Sequence, residues 1–101
     1  MAIHKFYSVM NKETTEGEIG FIVAFPDLEN CFTQGDDLKE AIEMAEDVLA
    51  LMLTVMEDDG KVIPAPSFAK DIVVPEGASL VLIEVDTDKY RVDYKDSVVS
   101  E

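Results

Sequence analysis

Carboxylates are the commonest chemically able side chains in this sequence. Twenty-two Asp and Glu stand against eight Lys and Arg, a formal charge of −14 at pH 7. Clustered carboxylates on converging strands hold divalent metal ions for phosphoryl-transfer chemistry, so a metal-dependent nuclease is the enzyme reading to weigh. The spacing does not favour it. Glu13 and Glu16 fall in a polar stretch, Asp27 follows a proline, and Asp36 and Asp37 precede a long helical run. Glu84 is the acid inside a stretch that reads as a core strand. His4 and Cys31 occur once each, with no nucleophile or base partner at a recognisable spacing. A half-buried histidine and a buried small apolar cysteine are the plainer readings. No phosphate-cradling glycine loop and no zinc spacing occurs, so no cofactor or metal is expected.

The elements that must position these residues centre on Asp36 to Glu57, which lacks Pro and Gly and is rich in Ala, Leu, Met, Glu and Lys. Leu38, Ile42, Ala45, Leu49, Met52 and Met56 recur at helical spacing. Asp37 suits the cap and Glu40 the returning carboxylate of a capping box, with Gly60 as the left-handed stop. On a helical wheel Lys39, Glu40, Glu43, Glu46, Asp47, Thr54 and Glu57 share an arc of roughly 120°. The remaining apolar arc exceeds the stripe that an ordinary surface helix buries. Its margin, Met44, Val48, Leu51 and Val55, is the first-choice contact for a second chain, as a homodimer or higher even oligomer with two-fold symmetry.

Ile3 to Met10 alternates like a strand, and Ile19 to Phe25 does so again, with Asn11 to Gly17 read as the turn of an antiparallel hairpin. Gly20 and Ala24 thin one face of the second strand, where another backbone or helix can come close. Pro26 ends that strand. Cys31 to Gln34 makes a short third strand and Ser79 to Val85 a fourth, apolar on both faces except at Glu84. Ser67 is placed to cap a short turn from Phe68 to Asp71, and Asp88 to Tyr94 reads as either a short helix or an extended arm. The order is β-β-β-α-β: an α+β domain with one long helix across a mixed four-stranded sheet.

Several residues in series resemble a known family. Phe25-Pro26-Asp27-Leu28, Cys31-Phe32-Thr33-Gln34-Gly35-Asp36 and Leu38-Lys39-Glu40-Ala41 are similar to the FPDLPGCxTxGDTxEEA signature of HicB-like antitoxins. Asp59-Gly60 and Ile63-Pro64-Ala65-Pro66-Ser67 are similar to the DGxxIPxPS that follows the helix there. Glu29-Asn30 replaces the usual Pro-Gly, and Asp37 stands where Thr is frequent. The resemblance implies a partial RNase H-like fold over residues 1–86, with 87–101 a linker or arm toward a C-terminal DNA-binding domain. It implies a partner too, a small basic HicA-like mRNA interferase that the antitoxin covers.

The bulk numbers agree with a binder. One domain of 101 residues is expected. No apolar run approaches the roughly 18 residues of a membrane span, so a cytoplasmic protein without membrane contact is expected. The negative field repels nucleic acid, so DNA would be met only through a further domain, and it attracts a basic protein. The acids expected to face the toxin are Asp27, Glu40, Glu43, Glu46 and Asp47. A stand-alone acidic binding module without a toxin is the second reading, and the nuclease the third.

Overall fold

The computed structural model describes residues 2–92. Strand β1 (Ile3–Thr15) runs into β2 (Glu18–Ala24) through Glu16 and Gly17 alone, both at positive φ, 52° and 83°. Two left-handed residues make the tight turn whose twist matches paired strands. The turn expected over Asn11 to Gly17 therefore shrinks to its last two residues. Asn11 to Thr15 instead extend β1, paired with β2 from Asn11↔Ile22 to Thr15↔Glu18. The β2–β3 loop is closed by Phe25 N–H donating to Cys31 O at 3.0 Å and Leu28 N–H to Phe25 O at 3.1 Å. Asn30 sits at φ 58°, where the similar signature has Gly, and Asn tolerates that left-handed slot better than most residues.

Strand β3 (Phe32–Gly35) leads directly to helix α1 (Leu38–Asp58). Both expected ends of the helix are present. Asp37 Oδ1 accepts from Glu40 N–H at 2.8 Å, and Glu40 Oε1 accepts from Asp36 N–H at 2.8 Å. At the far end Gly60 is left-handed at φ 70°, with Lys61 N–H on Met56 O and Gly60 N–H on Glu57 O, the paired bonds of a Schellman motif. A turn at Ala69–Asp71 precedes β4 (Ala78–Asp86).

The sheet order is β3-β2-β1-β4, and all three pairings are antiparallel. This corrects the expected mixed sheet. A helix that fed β4 directly would deliver it parallel to β1. Here the extended stretch 61–77 first carries the chain back, and β4 returns alongside β1 in the opposite sense, from Asn11↔Ala78 to Ile3↔Asp86. One face of the sheet meets α1. Phe6, Met10, Val23, Phe25, Ile83 and Val85 from strands and loop pack with Ala41, Ala45, Leu49 and Leu53 of the helix. Each fully buried Leu or Phe contributes about 1.5–3 kcal/mol relative to exposure. The other face is not covered throughout. Leu82 on the outer face of β4 is 48 % exposed in the single chain.

The closest approach lies at Gly35 rather than Gly20. A Cβ at Gly35 would stand 2.5 Å from Ala41 N and 2.7 Å from its Cα, whereas one at Gly20 would meet Gly35 O at 3.4 Å. The first turns of α1 rest on β3 backbone to backbone. Gly35→Ala is therefore expected to cost about 1–3 kcal/mol by overpacking. Thermal denaturation should show this as a drop of roughly 4–8 °C per kcal/mol for a domain of this size. Gly20→Ala should leave the midpoint nearly unchanged.

Candidate functional site

The five acids expected to face a partner do not form one cluster. Asp27 is half-buried, and its carboxylate accepts from Ser67 N–H at 2.8 Å and Ser67 Oγ–H at 2.6 Å. It fastens the 61–77 stretch to the β2–β3 loop. Ser67 is thereby diverted from capping: the turn at Ala69–Asp71 has no side-chain cap. Glu40 is engaged in the capping box. Glu43, Glu46 and Asp47 remain on the exposed face of α1.

Glu46 and Asp47 border a cleft of ≈ 430 Å³ between the helix and β4, opposite Glu84 and Asp86, with Lys89 and Tyr90 at its side. Four carboxylates thus share one opening. Glu84 Oε1 lies 3.8 Å from Lys5 Nζ in an exposed pair that screens only part of this charge. Asp27 belongs to a different cleft, with Leu28, Met52, Met56, Lys61 and Pro64. Among the described residues no three His, Cys, Asp or Glu side chains converge to hold a metal ion. Cys31 is buried, and burial pushes its thiol up to about 11, away from the reactive thiolate.

The helix margin expected to meet a second chain is open to solvent: Met44 is 39 %, Leu51 49 % and Val55 46 % exposed, with Val48 half-buried. The opposite flank is covered. Residues 87–92, expected as the start of a linker or arm, are helical, and Tyr90 packs against the core. The helix or arm expected to continue over Asp93 and Tyr94 lies outside the described residues. Thr54, placed on the polar arc, is in fact only 9 % exposed, and its carbonyl accepts from Arg91 at 3.4 Å.

An ionic junction that the sequence did not reveal secures this flank. Glu57 Oε2 lies 3.0 Å from His4 Nε2 and accepts from Thr87 Oγ1 at 3.0 Å, while Glu57 Oε1 accepts from Arg91 at 3.0 Å. Arg91 also donates to Asp58 at 2.8 Å, and Thr87 N–H to Ala2 O at 3.1 Å. The start of β1, the end of α1 and the turn after β4 meet at one carboxylate. His4 is half-buried, as expected, and hydrogen-bonded to Glu57. Separations of 53 and 34 residues leave no local pattern that could have joined them.

Burial pushes the Glu57 carboxyl up, but hydrogen bonds from Arg91, His4 and Thr87 outweigh this and hold it below its ordinary value. A lowered folded-state pKa stabilises the fold fully above the unfolded value of about 4.3 and is lost as pH falls through the folded value. Glu57→Gln should therefore lower the melting temperature at neutral pH, and its curve should converge on the wild type in acid. Melting temperatures measured across pH 2–7, a range of about five units around the carboxylate pKa, check this.

Comparison with known proteins places this architecture. A family model described as HicB_like antitoxin of bacterial toxin-antitoxin system matches residues 7–99. Antitoxin HicB 1 of Photorhabdus laumondii is 40 % identical over 60 residues, 59 % of this chain and 37 % of that protein. Antitoxin HicB of Escherichia coli K12 is 37 % identical over 54 residues, 54 % of this chain and 39 % of that one. The matched region thus spans less than half of these relatives. Among solved structures, a toxin–antitoxin complex from Streptococcus pneumoniae superposes with a TM-score of 0.73 at 20 % identity, over 87 % of this chain and 72 % of that one. A HicA3 and HicB3 toxin–antitoxin complex gives 0.64 at 24 % identity, over 82 % and 99 %. At such identities these two likenesses concern the fold. With the family model covering most of its length, the chain belongs to the HicB-like antitoxins of bacterial toxin–antitoxin systems.

Proposed function

We propose that this domain binds a small basic HicA-like toxin and neutralises it by covering its RNA-binding surface, with no catalytic step of its own. The observation that carries the reading is the set of exposed acids Glu43, Glu46 and Asp47 on α1, the last two sharing a cleft with Glu84 and Asp86, on a chain of net charge −14. Complementary charge accelerates encounter and selects a basic partner. A similar fold in a chain of the HicA3 and HicB3 complex supports this pairing. The reading places the pair in the cytoplasm. No helix among the described residues is long and apolar enough to cross a membrane. Operator DNA is assigned to a C-terminal DNA-binding domain of the kind the resemblance implies, because this unit offers phosphate a repulsive field.

The experiment is association kinetics with a small basic HicA-like toxin. Glu43→Lys combined with Asp47→Lys should slow association about 10-fold or more at low salt, and the difference should shrink as salt rises. Equal association rates at low salt would overturn the assignment of the helix acids.

The open margin of α1 supports a second element of the proposal, a two-fold homodimer through Met44, Val48, Leu51 and Val55. Light scattering should report an even oligomer at concentrations on the order of tens of micromolar. Leu51→Glu should shift it to monomer. A wild-type monomer under those conditions would contradict the contact.

A further inference from the structure

We infer that the edge of β4, unpaired with any other strand among the described residues, takes up an extended basic segment of a partner protein by strand addition; this rests on the toxin-binding reading and assigns it a surface. Strand β4 is nine residues long, lies at the end of the sheet, and pairs with β1 along its whole length without interruption. Alternate residues of such a strand turn their N–H and C=O groups to the side away from β1, where they present an unpaired ladder. Natural edges are usually blunted by Pro, Lys, a bulge or short length. The sequence ASLVLIEVD contains neither Pro nor Lys, and its register with β1 has no bulge.

The surroundings of this edge define what fits. Near its end the cleft bordered by Glu46, Asp47, Glu84 and Asp86 opens over Ala50 and Val85, with Lys89 as the cation in the lining. On the outer face Leu82 stands 48 % exposed with Leu80 beside it in the register. Successive side chains of an added strand point to opposite faces. One set would point to the helix side, toward Glu46 and Asp47, and the other would lie along the outer face of Leu80 and Leu82, which Glu84 and Asp86 continue. The fitting segment therefore alternates Lys or Arg with apolar residues. A second copy of this chain is the disfavoured occupant. Pairing two β4 edges would line one seam with Glu46, Asp47, Glu84 and Asp86 from both chains, each molecule carrying −14.

The test uses a synthetic peptide of alternating Lys and Val, followed by amide NMR on the full chain, together with competition against the cognate toxin. Binding should shift amides of β4 and of Glu46 and Asp47. N-methylation of one alternate set of peptide residues should weaken it at least about 10-fold, because that set donates to the edge, while methylating the other set should not. Glu46→Gln with Asp47→Asn should weaken it as well, with the fold intact by circular dichroism. The peptide should displace the toxin. No binding at about 1 mM peptide, equal effects of both methylation patterns, or self-pairing through β4 would overturn the inference. Toxin binding that the peptide does not disturb sinks the edge assignment and leaves the antitoxin reading standing. Peptide binding with no affinity for the toxin does the reverse.

Discussion

The contact on which the domain depends is the backbone-to-backbone approach of α1 to β3 at Gly35 and Ala41. A side chain at position 35 would push the first turns of the helix off the sheet and open the layer filled by Ala45, Leu49 and Val23. Small residues recur where the two layers meet: Ala41, Ala45 and Ala50 are all buried. The capping box just before Ala41 fixes where the helix starts, so the close approach and the cap define one register together. Apolar packing then supplies most of the stabilisation, and the exposed acids ride on a helix already placed.

At its other end the same helix is held by charge rather than by close packing. Glu57 gathers His4, Thr87 and Arg91, which brings both ends of the described chain onto α1. Partly exposed ion pairs contribute little each, but this one is a network around a single carboxylate. It matters for a chain of net charge −14, where self-repulsion works against compactness. Spending Arg91 on Glu57 and Asp58 at the helix end neutralises charge where three segments meet. It leaves Glu43, Glu46 and Asp47 free to project their field outward.

What the sequence disclosed was local. The capping box, the Schellman end and the alternation of β1 and β2 depend on neighbours a few residues apart, and all three are found where their patterns place them. What it hid was long-range. The direction of β4 depends on the stretch 61–77 doubling back, which no hydrophobic period records. Asp27 looked like a free turn acid because its partner Ser67 is 40 residues away. Thr54 looked solvent-facing because its neighbour Arg91, in the helical segment 87–92, lies beyond the fourth strand. The family signature did locate the domain, and its Gly35 answers a backbone need, the close approach of α1 to β3.

On the proposed reading, exposed acids on a helix fixed at both ends serve to occupy a partner. The most direct measurement is RNA cleavage by a small basic HicA-like toxin titrated with this chain. The account predicts that cleavage falls to zero near one domain per toxin and that the chain alone leaves RNA intact. Undiminished cleavage at saturating chain, or cleavage by the chain itself with Mg²⁺, would contradict it.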